Sequence, residues 1–124
     1  MVQKIKVRKF DGGGFSRVYD NERFTVALKN AASENSKGAV KCLERHNETD
    51  EIFILLEGRA WMMEAEVADG NITELIEIPM KQHVLYVIPQ GVWHNTWMED
   101  GAKFAIIENV ETSYDNTDVI QFKK

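Results

Sequence analysis

The sequence predicts an all-β domain, a sandwich or a barrel, and three observations carry that reading. Apolar residues alternate with period two almost everywhere along the chain. Clusters of Gly, Asn, Asp and Pro cut this alternation into about nine short runs, at the spacing expected of sandwiches and barrels. No segment of useful length shows helical periodicity, and no fixed-period repeat points to a solenoid or propeller. Closed barrels and jelly rolls protect their sheet edges, and they create an interior where side chains from different strands converge.

In order, residues 4–10 alternate and read as a first strand, ended by Asp11-Gly12-Gly13-Gly14, because consecutive glycines favour no single backbone state. Residues 23–29 form a second, with Phe24, Val26 and Leu28 on one face. Residues 30–38 are polar and read as a loop; 39–46 are a third strand, followed by a turn at Asn47-Glu48-Thr49-Asp50. Residues 51–57 are strongly β and stop at Gly58. Residues 59–67 and 72–78 make a hairpin around Asp69-Gly70-Asn71. Residues 84–88 precede a tight turn at Pro89-Gln90-Gly91. Residues 93–98 and 103–109 complete the regular part, and 111–118 read as an irregular tail. The chain is thus expected to be one domain over residues 1–124: N-terminal strands and a loop over 1–37, a barrel over 38–110, and a tail over 111–124.

Composition narrows the function. A chain of 124 residues can bury roughly two thirds of its unfolded surface, so it needs no disulfide or structural metal merely to fold. Apolar residues are 44% and charged residues 28%, which excludes intrinsic disorder. A net charge of −5 with no basic cluster argues against nucleic acid or an anionic membrane as partner. The single cysteine, Cys42, has no internal partner, and residues 1–10 lack the apolar core of a signal peptide. A cytoplasmic protein is the expectation.

Three histidines are present: His46, His83 and His94. Residues i and i+2 of a strand share a face, so Glu44 and His46 point together, and Glu51 opens the next strand just past a turn. His94 starts another strand after the turn at 89–91. Two imidazoles and two carboxylates on neighbouring strands could surround a divalent metal, although a strand histidine flanked by carboxylates is more often a hydrogen-bonded surface group.

Two motifs add to this. Residues 44–58, ERHNETDEIFILLEG, resemble the first motif of the cupin family, HxHxxxxExxxxxxG, and residues 89–94, PQGVWH, resemble the second, PxGxxH. The resemblance is closest to small single-domain bacterial cupins of mostly unassigned activity. It implies a double-stranded β-helix, a jelly-roll barrel, with a metal inside. It also implies that His46, Glu51 and His94 are ligands, with Glu44 standing where the motif has its first histidine. His83 and Met98 depart from the glycine that opens the second motif and the asparagine that closes it. An alternative register would use Glu48 beside His46. A carboxylate at 44 makes a less positive metal centre than a third histidine and favours Mn²⁺ or Fe²⁺, with Ni²⁺ and Zn²⁺ still open.

The resemblance admits a metal-dependent isomerase, epimerase or dioxygenase acting on a neutral sugar-like or small carbonyl compound. It equally admits a non-catalytic small-ligand or metal-binding module, or a dimeric barrel with an empty site. The sequence shows no Arg or Lys pair for a phosphate; Arg45 and Arg59 are the nearest candidates. Cys42, Glu108 and Tyr86 have the parity to face a pocket, but read first as a buried hydrophobe, a solvated strand-end acid and a packing residue. Trp61, Trp93, Trp97 and Phe53 read as core. His83 reads as an exposed turn residue. Residues 52–56 are apolar on both strand faces, which predicts burial on both sides and hence a homodimer.

Overall fold

A computed structural model describes residues 2–122. Ten strands appear among them: β1 (Gly14–Asp20), β2 (Phe24–Asn30), β3 (Cys42–His46), β4 (Glu51–Glu57), β5 (Ala60–Ala68), β6 (Asn71–Pro79), β7 (Leu85–Ile88), β8 (Trp93–Met98), β9 (Lys103–Asn109) and β10 (Thr117–Gln121). They form two five-stranded sheets of order β1-β2-β9-β4-β7 and β10-β3-β8-β5-β6, with every strand pair antiparallel. The only helical segments among the described residues are two short 3₁₀ turns, Ser33–Asn35 and Tyr114–Asn116. This is the expected all-β jelly-roll barrel. Among the described residues no helix is long and apolar enough to cross a membrane.

Alternation decides which residues face in. On β4, Glu51, Phe53 and Leu55 are buried, while Ile52, Ile54 and Leu56 are half-buried on the other face. The inward residues meet Phe104 and Ile106 of β9, Ala60 and Met62 of β5, and Met98 of β8. Phe53 and Phe104 pack edge to face at 5.4 Å between ring centres. Fully burying an aliphatic or aromatic side chain of this kind contributes about 1.5–3 kcal/mol. A second cluster lies on the outer face of the β3–β8–β5 sheet, where Leu43, Met63, Ala65 and Trp97 pack with Val40, Trp61, Ile72, Trp93, Ile120 and Phe122. Trp61 stacks on Trp97 at 4.0 Å, and Arg45 covers Trp93 at 4.7 Å. The tryptophans are therefore packing residues, as expected, but outside the barrel.

The turns follow the sequence signals. Asp69 and Gly70 both have positive φ, 52° and 75°, as a two-residue hairpin turn requires. At Gly58, with φ 75°, an added Cβ would stand 2.6 Å from the Ala102 backbone, so only glycine fits where β4 turns away.

The two ends differ from the sequence reading. Residues 4–10 are not a strand: Ile5 and Val7 are 80% and 72% exposed and the segment pairs with no sheet. Its alternation matches that of a strand, but alternation supplies no partner. The Asn30 side chain holds its end by donating to the Phe10 and Gly12 carbonyls. The first strand begins at the last of these glycines, Gly14, and pairs with β2. In the tail, residues 117 and 118 are not irregular but open β10, which runs to Gln121 beside β3. Their Thr and Asp are polar because they bond across the ladder: Arg45 pairs with Asp118 at 2.8 Å.

Candidate metal centre

Three side chains meet at one end of the barrel interior. Glu51, the first residue of β4, projects inward because it shares the parity of Phe53 and Leu55. His46 comes from the end of β3 and His94 from the start of β8. The Pro89–Gly91 turn places β8, since the Gly91 N–H donates to the His46 carbonyl at 2.8 Å, with Gly91 at φ 79°. His46, Glu51 and His94 are all buried, and each offers a ligand atom within 4.8 Å of the other two.

The hydrogen bonds restrict the protons. His94 Nδ1 lies 2.9 Å from the Val92 carbonyl, which only accepts, so Nδ1 carries a hydrogen. His94 Nε2 then faces Glu51 Oε1 at 2.8 Å, and His46 Nε2 faces the same oxygen at 3.2 Å. A bare imidazole lone pair and a carboxylate oxygen do not rest together at such distances without a positive charge between them. That charge is a proton on the ring or a metal ion. His46 Nδ1 meets Thr117 Oγ1 at 2.9 Å, so β10 orients this ring. Two imidazole nitrogens and one carboxylate are a donor set suited to Fe, Mn, Zn or Ni, and the two-histidine, one-carboxylate triad leaves coordination positions open. The residues present fit a divalent ion.

With a proton in that role, burial alone pushes the Glu51 carboxyl up. Hydrogen bonds from His46 and His94, and their charges, more than reverse this and hold it down to about 2. For His46, burial lowers the imidazole, but Glu51, then Glu108 and Glu44, outweigh it and raise it. Glu108, on β9 directly opposite Glu51 in register, is pushed up to about 7 by burial and by the Glu51 carboxylate beside it, against His46 and Arg17.

The triad opens into a cavity of about 480 Å³, the size of a metabolite site. Glu44 lines it, one strand from His94 in register, but its carboxylate is not among the atoms gathered within 4.8 Å. Glu48 is exposed and accepts from the Asn116 side chain, so the alternative register has no support. Cys42 is half-buried, and burial, then Glu44, raises its thiol; it does not line the cavity. Tyr86 accepts from the Lys81 N–H, away from the cavity. His83 is an exposed turn residue with φ 64°. Phe53 lines the cavity and also packs the core.

Glu108 is buried rather than solvated, because β9 is a central strand of its sheet. Lys29 of β2 and Arg17 of β1 also line the cavity, along with Phe15 and Tyr114. This corrects the expectation that no Arg or Lys pair stands near. The long-range pairing of β2 with β9 brings Lys29 in, and parity with the buried Thr25 and Ala27 was the one signal that could have found it.

No protein-family model and no curated protein matches the chain. Solved structures do. A cupin-2 domain protein from Shewanella frigidimarina aligns over 81% of this chain and 84% of its own, at 23% identity and a TM-score of 0.55. Pac13, a nucleoside dehydratase from Streptomyces, aligns over 93% and 85%, at 8% identity and a TM-score of 0.63. The capsular polysaccharide assembling protein CapF from Staphylococcus aureus aligns over 94% of this chain but 32% of its own, at 20% identity and a TM-score of 0.60. At such identities the likeness is one of fold, and the fold is that of the cupins.

Proposed function

We propose that this cupin-fold chain holds a divalent metal ion at His46, Glu51 and His94 and uses the adjoining cavity to bind and convert a small oxygen-rich compound, sugar-like or carbonyl. The observation that carries the reading is the buried convergence of two imidazole Nε2 atoms on one carboxylate oxygen at the edge of a 480 Å³ cavity. A bound ion would polarise a carbonyl or orient a diol. Glu51 and the two rings hold it; Thr117 and the Val92 carbonyl fix the rings. Glu108, buried on the cavity wall directly opposite Glu51, is suited to move a proton in an isomerase- or epimerase-like step. A dioxygenase-like reaction would use the open metal positions instead.

One observation favours a second reading, a non-catalytic binding module. Glu44 stands where the motif has its first histidine, and its carboxylate is not among the ligand atoms gathered within 4.8 Å. Elemental analysis of protein purified without an affinity tag tests the metal. Near-stoichiometric divalent ion is expected, and none in protein supplied with Mn, Fe, Ni and Zn would defeat the proposal. Turnover of sugar or carbonyl compounds then separates enzyme from module.

The homodimer belongs to the same proposal. A cross-strand apolar stripe runs over the outer face of the first sheet, from Val26 through Ile107 and Ile52 to Val87, and from Leu28 through Ala105 and Ile54 to Leu85. Leu85 and Val87 remain 54% and 52% exposed. A second copy would cover this face. Ile54→Lys is expected to turn a dimer into a monomer in sedimentation, and a wild-type monomer at micromolar concentration would remove the idea.

A further inference from the structure

The metal reading accounts for one part of the cavity; the β1–β2 part carries different chemistry. Phe15 is opposite Lys29 in the ladder and Arg17 is opposite Ala27, so Arg17 and Lys29 are diagonal neighbours on the inward face. Among the described residues neither makes an ion pair within 4.0 Å. Arg17 lies over the Phe15 ring at 6.0 Å. Lys29 is half-buried; burial lowers its amine, against the fields of Glu51, Glu44 and Glu34. Lys29 on the cavity wall and Arg17, exposed at its mouth on the edge strand, thus face a shared cavity with no ion pair to either.

Charge balance says what would. With a divalent ion in the triad and both imidazoles neutral, the ion, Lys29 and Arg17 carry four positive charges. Of the carboxylates that line the cavity, Glu44, Glu51 and Glu108 return at most three, so one remains there while Lys29 keeps its proton. A neutral ligand leaves it uncompensated in a partly desolvated site, and a monoanion balances it. The span agrees. β2 and β1 stand two and three strands from β4, roughly 10 and 14 Å between backbones at the usual spacing, and the long side chains close much of that.

We propose that the ligand of this cavity is a small organic monoanion whose carboxylate is received by Arg17 and Lys29 while its far oxygen reaches toward the His46–Glu51–His94 triad. This rests on the metal reading for the far attachment and for the charge balance, while the cation pair itself stands on the β1–β2 geometry. It replaces the neutral sugar-like or carbonyl ligand with its acid counterpart, a hydroxy, keto or sugar acid.

The test is calorimetric titration of metal-supplied protein with ω-hydroxy acids of three to six carbons, each against its own amide. In these probes the carboxylate is remote from the hydroxyl. At least one acid is expected to bind at least ~10-fold tighter than its amide. Arg17→Met and Lys29→Met are each expected to shrink that preference, and the double variant to erase it. Lys29→Arg should keep most of it. Metal content and melting temperature should stay at wild-type values, which separates loss of recognition from loss of fold. Acids and amides that bind alike or not at all overturn the proposal, as does a preference that survives in the double variant. Acid preference that depends on Arg17 and Lys29 in a protein that takes up no metal would sustain this inference while defeating the metal reading. A metal-loaded protein indifferent to charge would do the reverse.

Discussion

The barrel interior has two halves, and the same strands build both. At one end β4 contributes Leu55, β9 Phe104 and β8 Met98, a dry packed core. Four residues away on each of those strands stand Glu51, Glu108 and His94, beside His46, Thr25 and Thr112. Phe53 is the boundary, packed on Phe104 at 5.4 Å and on the His94 ring at 6.5 Å. The backbone is equally regular in both halves, so the ladder does not distinguish them. The difference is that the apolar half is stable by exclusion of water, whereas the polar half holds buried ionisable groups that only one another or a cation can satisfy.

The comparison can be broken from either side. Phe104→Ala removes a fully buried ring from the apolar half and should cost about 3–5 kcal/mol in denaturant unfolding. Metal bound per folded molecule should stay unchanged; if stability barely moves, the core does not lie there. His94→Ala acts on the other half. It should weaken metal binding by more than ~100-fold, beyond what loss of an outer partner costs, and remove the drop in melting temperature that EDTA causes in the wild type. Full metal occupancy in that variant would show the ligands to be wrongly identified. Thr117→Val takes only the hydroxyl that orients His46 and is expected to lower affinity by about 10-fold, read by competition with a chelating dye.

The smallest effect is in the pH dependence of the metal-free chain. Glu51 lies at about 2, below the ordinary 4.5, so its contribution is present above pH 4.5 and lost as pH falls toward 2. Glu108 lies at about 7, above 4.5. Between those values the folded chain keeps a proton the unfolded chain has released, and stability declines as pH rises. His46, raised above 6.5, adds stability below that value that fades as pH climbs through its folded value. In EDTA, Glu108→Gln should therefore show a flatter melting temperature between pH 5 and 7 than the wild type. A steeper decline in the variant would contradict the buried position of Glu108.

Legibility in the sequence follows the same division. The strands from β3 to β9 were readable because each pairs an apolar parity with turn residues at its ends. β10 was not, because Thr117 and Asp118 serve His46 and Arg45 across a ladder and carry no apolar signal. Residues 4–10 carried that signal without a partner, which local pattern cannot reveal. In the site, His46, Glu51 and His94 were readable from motif spacing, and the structure gathers them. Glu44 reads into the same group; the structure puts it on the same cavity wall, but its carboxylate is not among the atoms gathered within 4.8 Å. Lys29 and Arg17 were invisible because their nearness to the triad depends on pairing between strands far apart in the chain.

That pairing has a consequence for how the molecule comes into being. The triad's surroundings draw on positions from Phe15 to Thr117, and β2 meets β9 across some 80 residues of chain. Topologies dominated by such distant partners close late and slowly. During synthesis the proposed metal pocket therefore has no counterpart in a half-made chain. Loading is expected to follow folding rather than guide it, and a nascent polypeptide halted before β9 should capture no ion.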